Sequence, residues 1–423
     1  MKSFYTGLEC PRCHSIRPET EAFDGCLACF SRSIAVNVST AYDFGTKDGG
    51  EPAKSIFSKL LGPGVWRYKP FLPIKDDVSP ITLGEGNTPL LHCKRIGELM
   101  GLNNLFLKNE TQNPTWSFKD RLCSVGASRA SQENVPVITA SSTGNHGASA
   151  AAYAAAAGIP CVIFTLTEVP QIMKTLMRVY GACVFALQEP LDRWKIMKWC
   201  VKNYGWFPLS GYVSPTIGSN CYAVDGYKTI AFELYEQLNG LPDFIVVPSA
   251  YSDGLFGIWK GLRDLYELGL SNKKCRMVAA EVGGSLKASL GKQTKELVEV
   301  PYKPSIAFSI ANELGTWQGY TALKESDGIA ETANDPEIID MQLKLARTEG
   351  IYAETSSVSA LVAVEKLVKQ GTIRKDDEVV VVITSTGLKD PNETAKYLLD
   401  IPIIGANPKD LVEAAKKYYG LVI

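Results

Sequence analysis

From residue 81 onward, short apolar runs alternate with longer stretches in which apolar positions recur every three or four residues. The runs are LFLKN near 105–109, VPVITAS near 135–141, CVIFTL at 161–166, CVFAL at 183–187, FIVVPS at 244–249, RMVAAE at 276–281 and VVVVIT at 379–384. Runs this short, rich in β-branched residues and bounded by small or polar ones, predict strands buried on both faces of parallel sheets. The intervening pattern predicts helices over 118–131, 146–158, 170–180, 190–203, 224–238, 253–267, 339–348 and 356–369. Strands separated by helices give an α/β layer architecture, and there are enough units for two sheets. The run ASAAAYAAAA at 148–157 predicts a helix packed so closely that little more than methyl side chains fit.

Residues 31–80 lack such a pattern. Scattered Gly and Pro (FGTKDGGEPAK, LGPGVWRYKPFLP) predict an irregular arm with a short helix near 53–61 that wraps the body of the protein. At the other end, 396–423 reads as one terminal helix and a tail.

Composition narrows the class. The chain has 423 residues, 44 Lys and Arg against 45 Asp and Glu, and 45% hydrophobic residues. A chain of this size buries about three quarters of its unfolded surface without disulfides. Charge balance gives no basic footprint for nucleic acid, and no apolar run reaches the roughly 20 residues of a membrane span. The N-terminus, MKSFYTGLEC, has no apolar leader, so a cytoplasmic protein is expected. Seven of the eleven cysteines are scattered singly, which is the usage of a reducing compartment.

The other four form two knuckles, Cys10-x2-Cys13 and Cys26-x2-Cys29. Four thiolates so paired can surround one Zn2+ tetrahedrally, and a polar segment of this length would fold around the ion. The second knuckle, CLACF, has Phe30 where a metal turn commonly has Gly. A decayed knuckle with free thiols is the competing reading, and His14 is a surface polar residue or a substitute ligand.

Three strand-to-helix junctions carry the chemistry. In KNETQNPTWSFKDR (108–121), Asn113-Pro114 and Ser117 end an extended run and open a helix, which puts Lys119 in the first turn. A cation there opposes the helix dipole. Desolvation added to that field lowers a lysine's pKa, as an imine-forming amine requires; the alternative is a surface lysine beside Asp120. In ITASSTGNHGASAAAYAA (138–155), Gly144 permits a tight turn and small residues leave N–H groups at a helix N-terminus, an anion site. Asn145 and His146 follow it, and the histidine could also simply cap the helix. VVPSAYSDGLFG (246–257) repeats the arrangement. No GxGxxG or GxxxxGK[ST] motif follows any strand, so no nicotinamide or Walker-type site is expected.

These segments together resemble one family. NPTWSFKDR resembles the NPTGSFKDR motif that carries the pyridoxal phosphate lysine in threonine synthases and their fold-type-II relatives. ASSTGNHGASAAAYAA resembles their asparagine loop, GIYAETSSVSALVAVEKL (350–367) their late EG-x-x-x-EP-[SA]-S-A helix, and TSTGLKDP (384–391) their closing T-G-x-G-L-K-D-P. The resemblance implies a tryptophan-synthase-β-like α/β fold with two parallel or mixed sheet domains and a zinc-knuckle-like N-terminal extension. The expected division is an extension 1–35, an arm 36–80, a large cofactor domain of 81–99 and 216–395, a small domain 100–215, and the terminal helix 396–423.

It also implies pyridoxal 5'-phosphate as cofactor, a small amino-acid substrate and a homodimer. By the same resemblance Lys119 holds the cofactor covalently and Asn145 donates to its 3'-oxygen. The loop of Ser249, Ala250, Tyr251, Ser252, Asp253 and Gly254 holds its phosphate, and Thr384 meets its pyridine nitrogen. Ser142 and Thr143 receive the substrate carboxylate, with Asn145 and His146 adjacent.

Three departures bear on the substrate. The family's G-N-x-G-N loop reads Ser249-Ala250-Tyr251-Ser252-Asp253 here. Trp116 stands where the family has Gly, either shaping a pocket or serving as a core aromatic. Matching GYKT (226–229) to the family's GQKT puts Ile217-Gly218 at its phosphate-binding Asn-Ser pair and Ala223 at its arginine. A lost desolvated Arg contact costs roughly 2–5 kcal/mol. The expectation is therefore β-elimination or β-replacement on a non-phosphorylated amino acid through an external aldimine and an aminoacrylate-type intermediate. The alternative is a threonine synthase converting O-phosphohomoserine and water to threonine and phosphate; a non-enzymatic cofactor-binding role is the third reading.

Overall fold

A computed structural model describes residues 3–45, 52–292 and 296–423. Its strands are β1 (Tyr5–Glu9), β2 (Ile16–Arg17), β3 (Ser39–Tyr42), β4 (Leu90–His92), β5 (Asn104–Asn109), β6 (Ile138–Ser141), β7 (Cys161–Leu166), β8 (Cys183–Leu187), β9 (Phe207–Pro208), β10 (Phe244–Pro248), β11 (Arg276–Glu281), β12 (Ile329–Thr332) and β13 (Glu378–Ile383). They form a six-stranded sheet of order β12-β11-β10-β13-β5-β4, a four-stranded sheet of order β8-β7-β6-β9, and an N-terminal sheet of order β2-β1-β3. The four-stranded sheet is parallel throughout, and in the six-stranded one β4 alone runs against its neighbour. The run EVVVVI of β13 is buried from its second residue onward, and FIVVP of β10 is buried along its whole length. Both are central strands covered by helices on two faces, so neither shows polar alternation.

One expectation about domains is corrected by pairing. The strand at 104–109, placed by sequence in the small domain 100–215, belongs to the six-stranded sheet, where Asn104 to Asn109 pair in parallel register with Glu378 to Ile383. Leu105 and Leu107 share a core with Ile96, Val379 and Leu361, while the Lys108 ammonium pairs with Glu233 at 2.6 Å. Both kinds of contact tie the strand to the larger sheet.

The predicted helices form at Lys119–Gln132, Asn145–Ala157, Gln171–Val179, Pro190–Tyr204, Lys228–Gln237, Asp253–Glu267, Asp335–Glu349 and Thr355–Lys369. The seventh starts four residues before the pattern suggests, because Asn334 and Glu337 form a reciprocal capping box. A short turn of 3-10 helix, Ala223–Tyr227, leads into the fifth. There a side chain on Gly226 would lie 2.0 Å from the Arg121 carbonyl oxygen, so only glycine allows the turn to touch the Lys119 helix. Arg121 itself is fully buried and bridges Glu110 and Glu233.

The arm is more regular than its Gly and Pro content suggests. Ser39–Tyr42 pairs antiparallel with Tyr5–Glu9, and Ala53–Ser58 is helical; residues 46–51 of the arm lie outside the described residues. Thr40 and Tyr42 both donate to the Asp225 carboxylate, which also pairs with Lys260 at 2.5 Å. Asp390–Ile423 form a separate compact unit with helices Pro391–Ala395 and Pro408–Tyr419. Among the described residues no disulfide joins any of the eleven cysteines, and no helix is long and apolar enough to cross a membrane.

Candidate active site

Lys119 is the first residue of its helix. The loop before it is held by Asp120, whose carboxylate accepts from the Thr115 N–H at 2.6 Å, the Thr115 hydroxyl at 2.5 Å and the Ser149 hydroxyl at 2.6 Å. Asp120 is thus turned away from Lys119, which disposes of a simple surface ion pair. The Lys119 Nζ lies 4.7 Å from the Phe118 ring centre and 5.7 Å from that of Tyr227. Burial holds its pKa below the ordinary lysine range, against the opposing pull of Asp253, Cys123 and Glu354. Trp116 has φ of +58° and is 46% exposed. It is not a core aromatic, and its left-handed backbone is the conformation a glycine adopts without strain.

In the second loop the Ser142 hydroxyl accepts from the backbone N–H of Gly144 at 3.2 Å and of Gly147 at 2.8 Å. The Ser142 oxygen thus builds the turn, while its O–H has only a 3.5 Å contact to the Gly144 carbonyl. Gly144 has φ of −169°, so its backbone is extended rather than left-handed. Thr143 is half-buried beside it. Asn145 donates from Nδ2 to Glu354 at 2.7 Å, and its Oδ1 accepts from Lys389 at 2.6 Å and from the Ser385 hydroxyl at 3.2 Å. His146 is not used as a cap: its Nε2 is buried without a partner, and burial followed by the Lys119 charge lowers its pKa to about 3. It is a neutral ring.

The third loop departs further from expectation. The Ser249 hydroxyl donates back to the Val247 carbonyl at 3.1 Å, and that of Ser252 to the Ala250 carbonyl at 3.4 Å. Both serve the loop, and Ser252 takes φ of +63°. Tyr251 is partly exposed, its ring edge-on to Trp194 at 6.2 Å. Asp253 opens the next helix, and its buried carboxylate accepts from the Ser219 N–H at 2.9 Å and hydroxyl at 2.7 Å. Burial raises its pKa, with Lys119 and Ser219 pulling the other way. Gly254 is needed for close approach, since a Cβ there would lie 2.6 Å from the Phe118 ring beside Lys119. Thr384 is buried, with its hydroxyl 2.7 Å from that of Ser357, and its carbonyl accepts from the Phe118 N–H.

Ser219, Gln318, Ser357, Ser385, Glu354 and Lys389 were not singled out from sequence. Of these, Glu354, Ser357, Ser385 and Lys389 lie inside the two C-terminal motifs quoted above, which was the available signal.

The two positions used to argue a lost phosphate clamp are also corrected. Ala223 is fully buried, its methyl 3.1 Å from where Gly126 would carry a Cβ, and it belongs to the core beneath the Lys119 helix. Ile217 is buried and reaches the N-terminal extension, its Cδ1 3.0 Å from the Cβ position of Gly25. Neither side chain supplies an apolar wall for a substrate. Ala223→Arg is therefore expected to destabilise the protein by roughly 3 kcal/mol or more through an unpaired buried charge. Thermal melting would show it; an unchanged melting temperature with stronger binding of a phosphorylated amino acid would return Ala223 to the substrate pocket.

Whether these residues fit pyridoxal phosphate is tested by the polar groups left over. His146 Nε2, Tyr227 Oη and both amide atoms of Gln318 are buried without hydrogen-bond partners. The Tyr227 ring faces Lys119, and the Gln318 amide and Asp253 carboxylate both abut Gly218, whose Cβ would lie 2.9 and 2.5 Å from them. Such orphans gathered near one lysine mark space shaped for a polar molecule. In the extension, the sulfurs of Cys10, Cys13, Cys26 and Cys29 all lie within 4.8 Å of one another. Two of the separations are 3.7 Å, and zinc–sulfur bonds of about 2.3 Å in a tetrahedron give edges of about 3.8 Å. Both groups fit their sites.

Comparison with known proteins agrees. Residues 81–385 match the family described as pyridoxal-phosphate dependent enzyme. The threonine synthase of Methanocaldococcus jannaschii is 35% identical over 339 residues, covering 78% of this chain and 81% of that one. That of Methanosarcina acetivorans is 33% identical over 362 residues, covering 83% and 86%, and that of Mycobacterium tuberculosis H37Rv is 31% identical over 351 residues, covering 83% and 94%. Among solved structures, maize serine racemase superposes with a TM-score of 0.63 at 19% identity over 73% of this chain and 91% of that one. Diaminopropionate ammonia lyase from Escherichia coli gives 0.63 at 16% identity over 76% and 94%. These two speak for the fold alone. By its matched length and its identity to these relatives, the chain belongs to the fold-type-II pyridoxal-phosphate-dependent enzymes, in the family of the threonine synthases.

Proposed function

We propose that the chain is a threonine synthase, converting O-phosphohomoserine and water to threonine and phosphate, with phosphate leaving from Cγ and the water adding its oxygen at Cβ and a proton ending on Cγ. The observation that carries the reading is the setting of Lys119. It is an amine of lowered pKa at a strand-to-helix junction, flanked by two aromatic rings, in a chain 31 to 35% identical to threonine synthases over about four fifths of its length.

Pyridoxal phosphate, when bound, supplies the electron sink that acidifies the substrate's carbon-bound hydrogens. The chain supplies placement. Lys119 would hold the cofactor through its Nζ, and its amine, when free, would take the α proton. Desolvation favours this, since it keeps the amine neutral at a lower pH. Asn145 offers its second Nδ2 hydrogen to the cofactor's 3'-oxygen, the first being engaged by Glu354. Thr384, whose hydroxyl is backed by that of Ser357, would meet the pyridine nitrogen with a neutral donor rather than an acid. The N-terminus of the Asp253 helix would receive the cofactor's phosphate through backbone N–H groups, with Ser219 holding the Asp253 carboxylate. The turn at Ser142 and Thr143, shaped by the Ser142 hydroxyl, would receive the substrate carboxylate through the Thr143 N–H, since the Ser142 N–H is given to the Phe164 carbonyl at 2.9 Å. The larger domain carries the six-stranded sheet and the smaller the four-stranded one, in a cytoplasmic homodimer.

A second reading, elimination from a non-phosphorylated amino acid, is favoured by one observation: the segment 217–223, IGSNCYA, has no cationic side chain to meet a substrate phosphate. Incubating the holoenzyme separately with O-phosphohomoserine, threonine, serine and 2,3-diaminopropionate separates the two. Equal release of phosphate and threonine from the first is expected. Keto acid and ammonia formed from another substrate at higher kcat/KM would favour elimination instead.

A further inference from the structure

Residues 385–389 grip two of the three loops at once. The Lys389 ammonium, 2% exposed, donates to the Thr115 carbonyl at 2.6 Å and to Asn145 Oδ1 at 2.6 Å. Ser385 repeats the pattern, its one hydroxyl hydrogen shared between the Trp116 carbonyl at 3.0 Å and the same Oδ1 at 3.2 Å. The segment is anchored in turn: the Glu354 N–H donates to the Ser385 carbonyl at 2.9 Å, and the Gly387 N–H to the Tyr352 carbonyl at 3.0 Å. Burial lowers the Lys389 pKa to about 8, opposed by the Glu354 and Asp120 carboxylates, so the ammonium is kept at neutral pH.

The consequence is a dictated amide. Asn145 Oδ1 faces a cation and a hydroxyl donor, while Nδ2 faces the Glu354 carboxylate at 2.7 Å. Turning the amide over would set NH2 against the ammonium and the carbonyl against the carboxylate, two repulsions in place of two charge-assisted hydrogen bonds. One Nδ2 hydrogen is engaged by Glu354, and the other is directed elsewhere. The same cation joins the Asn145 helix to the loop that carries Lys119.

We propose that Lys389 is a positioning residue that fixes the Asn145 amide as a donor toward the cofactor and locks the asparagine loop to the lysine loop. This rests on the reading that Asn145 meets the cofactor's 3'-oxygen. A merely structural lysine would influence stability; this one also sets the electronic surroundings of the cofactor through Asn145.

The test is a double-mutant cycle with Lys389→Met and Asn145→Ala in the full chain. Its readouts are the affinity of the apo-protein for pyridoxal phosphate, the visible absorption of the bound cofactor and the melting temperature of the apo-protein. Each single variant is expected to weaken cofactor binding about tenfold and to shift the absorption band. The double variant should be no weaker than Asn145→Ala alone, with the apo-protein melting temperature little changed. Should Lys389→Met fail to fold, the cycle is read with Lys389→Gln, which keeps a neutral donor of similar reach and should show the same coupling at smaller amplitude. Wild-type affinity and spectrum in the Lys389 variant, or effects of the two substitutions that simply add, would overturn the proposal and leave the role of Asn145 standing. An Asn145→Ala protein with wild-type affinity and spectrum would take down both.

Discussion

Lys119→Ala is expected to abolish covalent retention of pyridoxal phosphate and to lower turnover at least about a thousandfold. The chain buries other lysines, but each is occupied. Lys108 pairs with Glu233 at 2.6 Å, Lys228 with Asp264 at 2.5 Å, and Lys260 with Asp225 at 2.5 Å. Lys389 is spent on the Thr115 carbonyl and Asn145. Lys119 makes no ion pair among the described residues, and its near neighbours are the Phe118 and Tyr227 rings. An amine so placed gives up its proton more readily than a salt-bridged one, and the free amine is the nucleophile. Borohydride reduction followed by peptide mapping should put the reduced cofactor on 119 in the wild type and on no lysine in the variant. Label on another lysine, or a variant that stays yellow through dialysis, would sink the assignment.

The legible part of the fold was the part whose burial on both faces leaves an unbroken apolar run in the sequence. Strands such as β10 and β13 announce themselves because both faces are covered and nearly every residue is apolar. β12 is missed because IAET has two apolar residues, and β9 because two residues are too few for any period. β1 and β3 pair across the cysteine knuckles through residues such as Gly7, Glu9, Ser39 and Thr40, which carry no apolar alternation.

At the site, motif and turn chemistry located the three junctions, since each needs small residues between a strand and a helix. What they do not locate is direction. Ser142 and Ser249 lie at the expected places, yet their hydroxyls close turns. Ala223 occupies the position matched to an arginine, yet it points into the core, because the 3-10 turn that carries it packs directly on the Lys119 helix. The Asn145 to Lys389 contact spans 244 residues, a distance over which periodicity and turn signals say nothing.

The cysteine cluster is expected to bind one zinc ion, and removing that ion is expected to unfold the N-terminal extension, where the sulfurs form much of the small core. Cys10, Cys26 and Cys29 are buried among Leu8, Ala22, Val36, Val38, Cys221 and Tyr222, a small cluster in which the extension's own buried apolar side chains are only four besides the cysteines. The turn chemistry for a metal site is present, though not where CLACF suggested. Gly25, before the second knuckle, has φ of +82°, and a Cβ there would lie 2.6 Å from the Val36 carbonyl oxygen; His14, after the first, has φ of +55°. His14 is not needed as a ligand, since the four thiols form the cluster without it. Elemental analysis should give about one zinc per chain, and Cys26→Ala should lose it. Zinc-free protein should become sensitive to proteolysis within residues 3–45 and melt at lower temperature. Activity should follow the fold, because β3 reaches Asp225 in the turn beneath the Lys119 helix through Thr40 and Tyr42. Unchanged zinc in Cys26→Ala would refute the ligand set, and immediate loss of activity on chelation with the extension still folded would make the ion something other than structural.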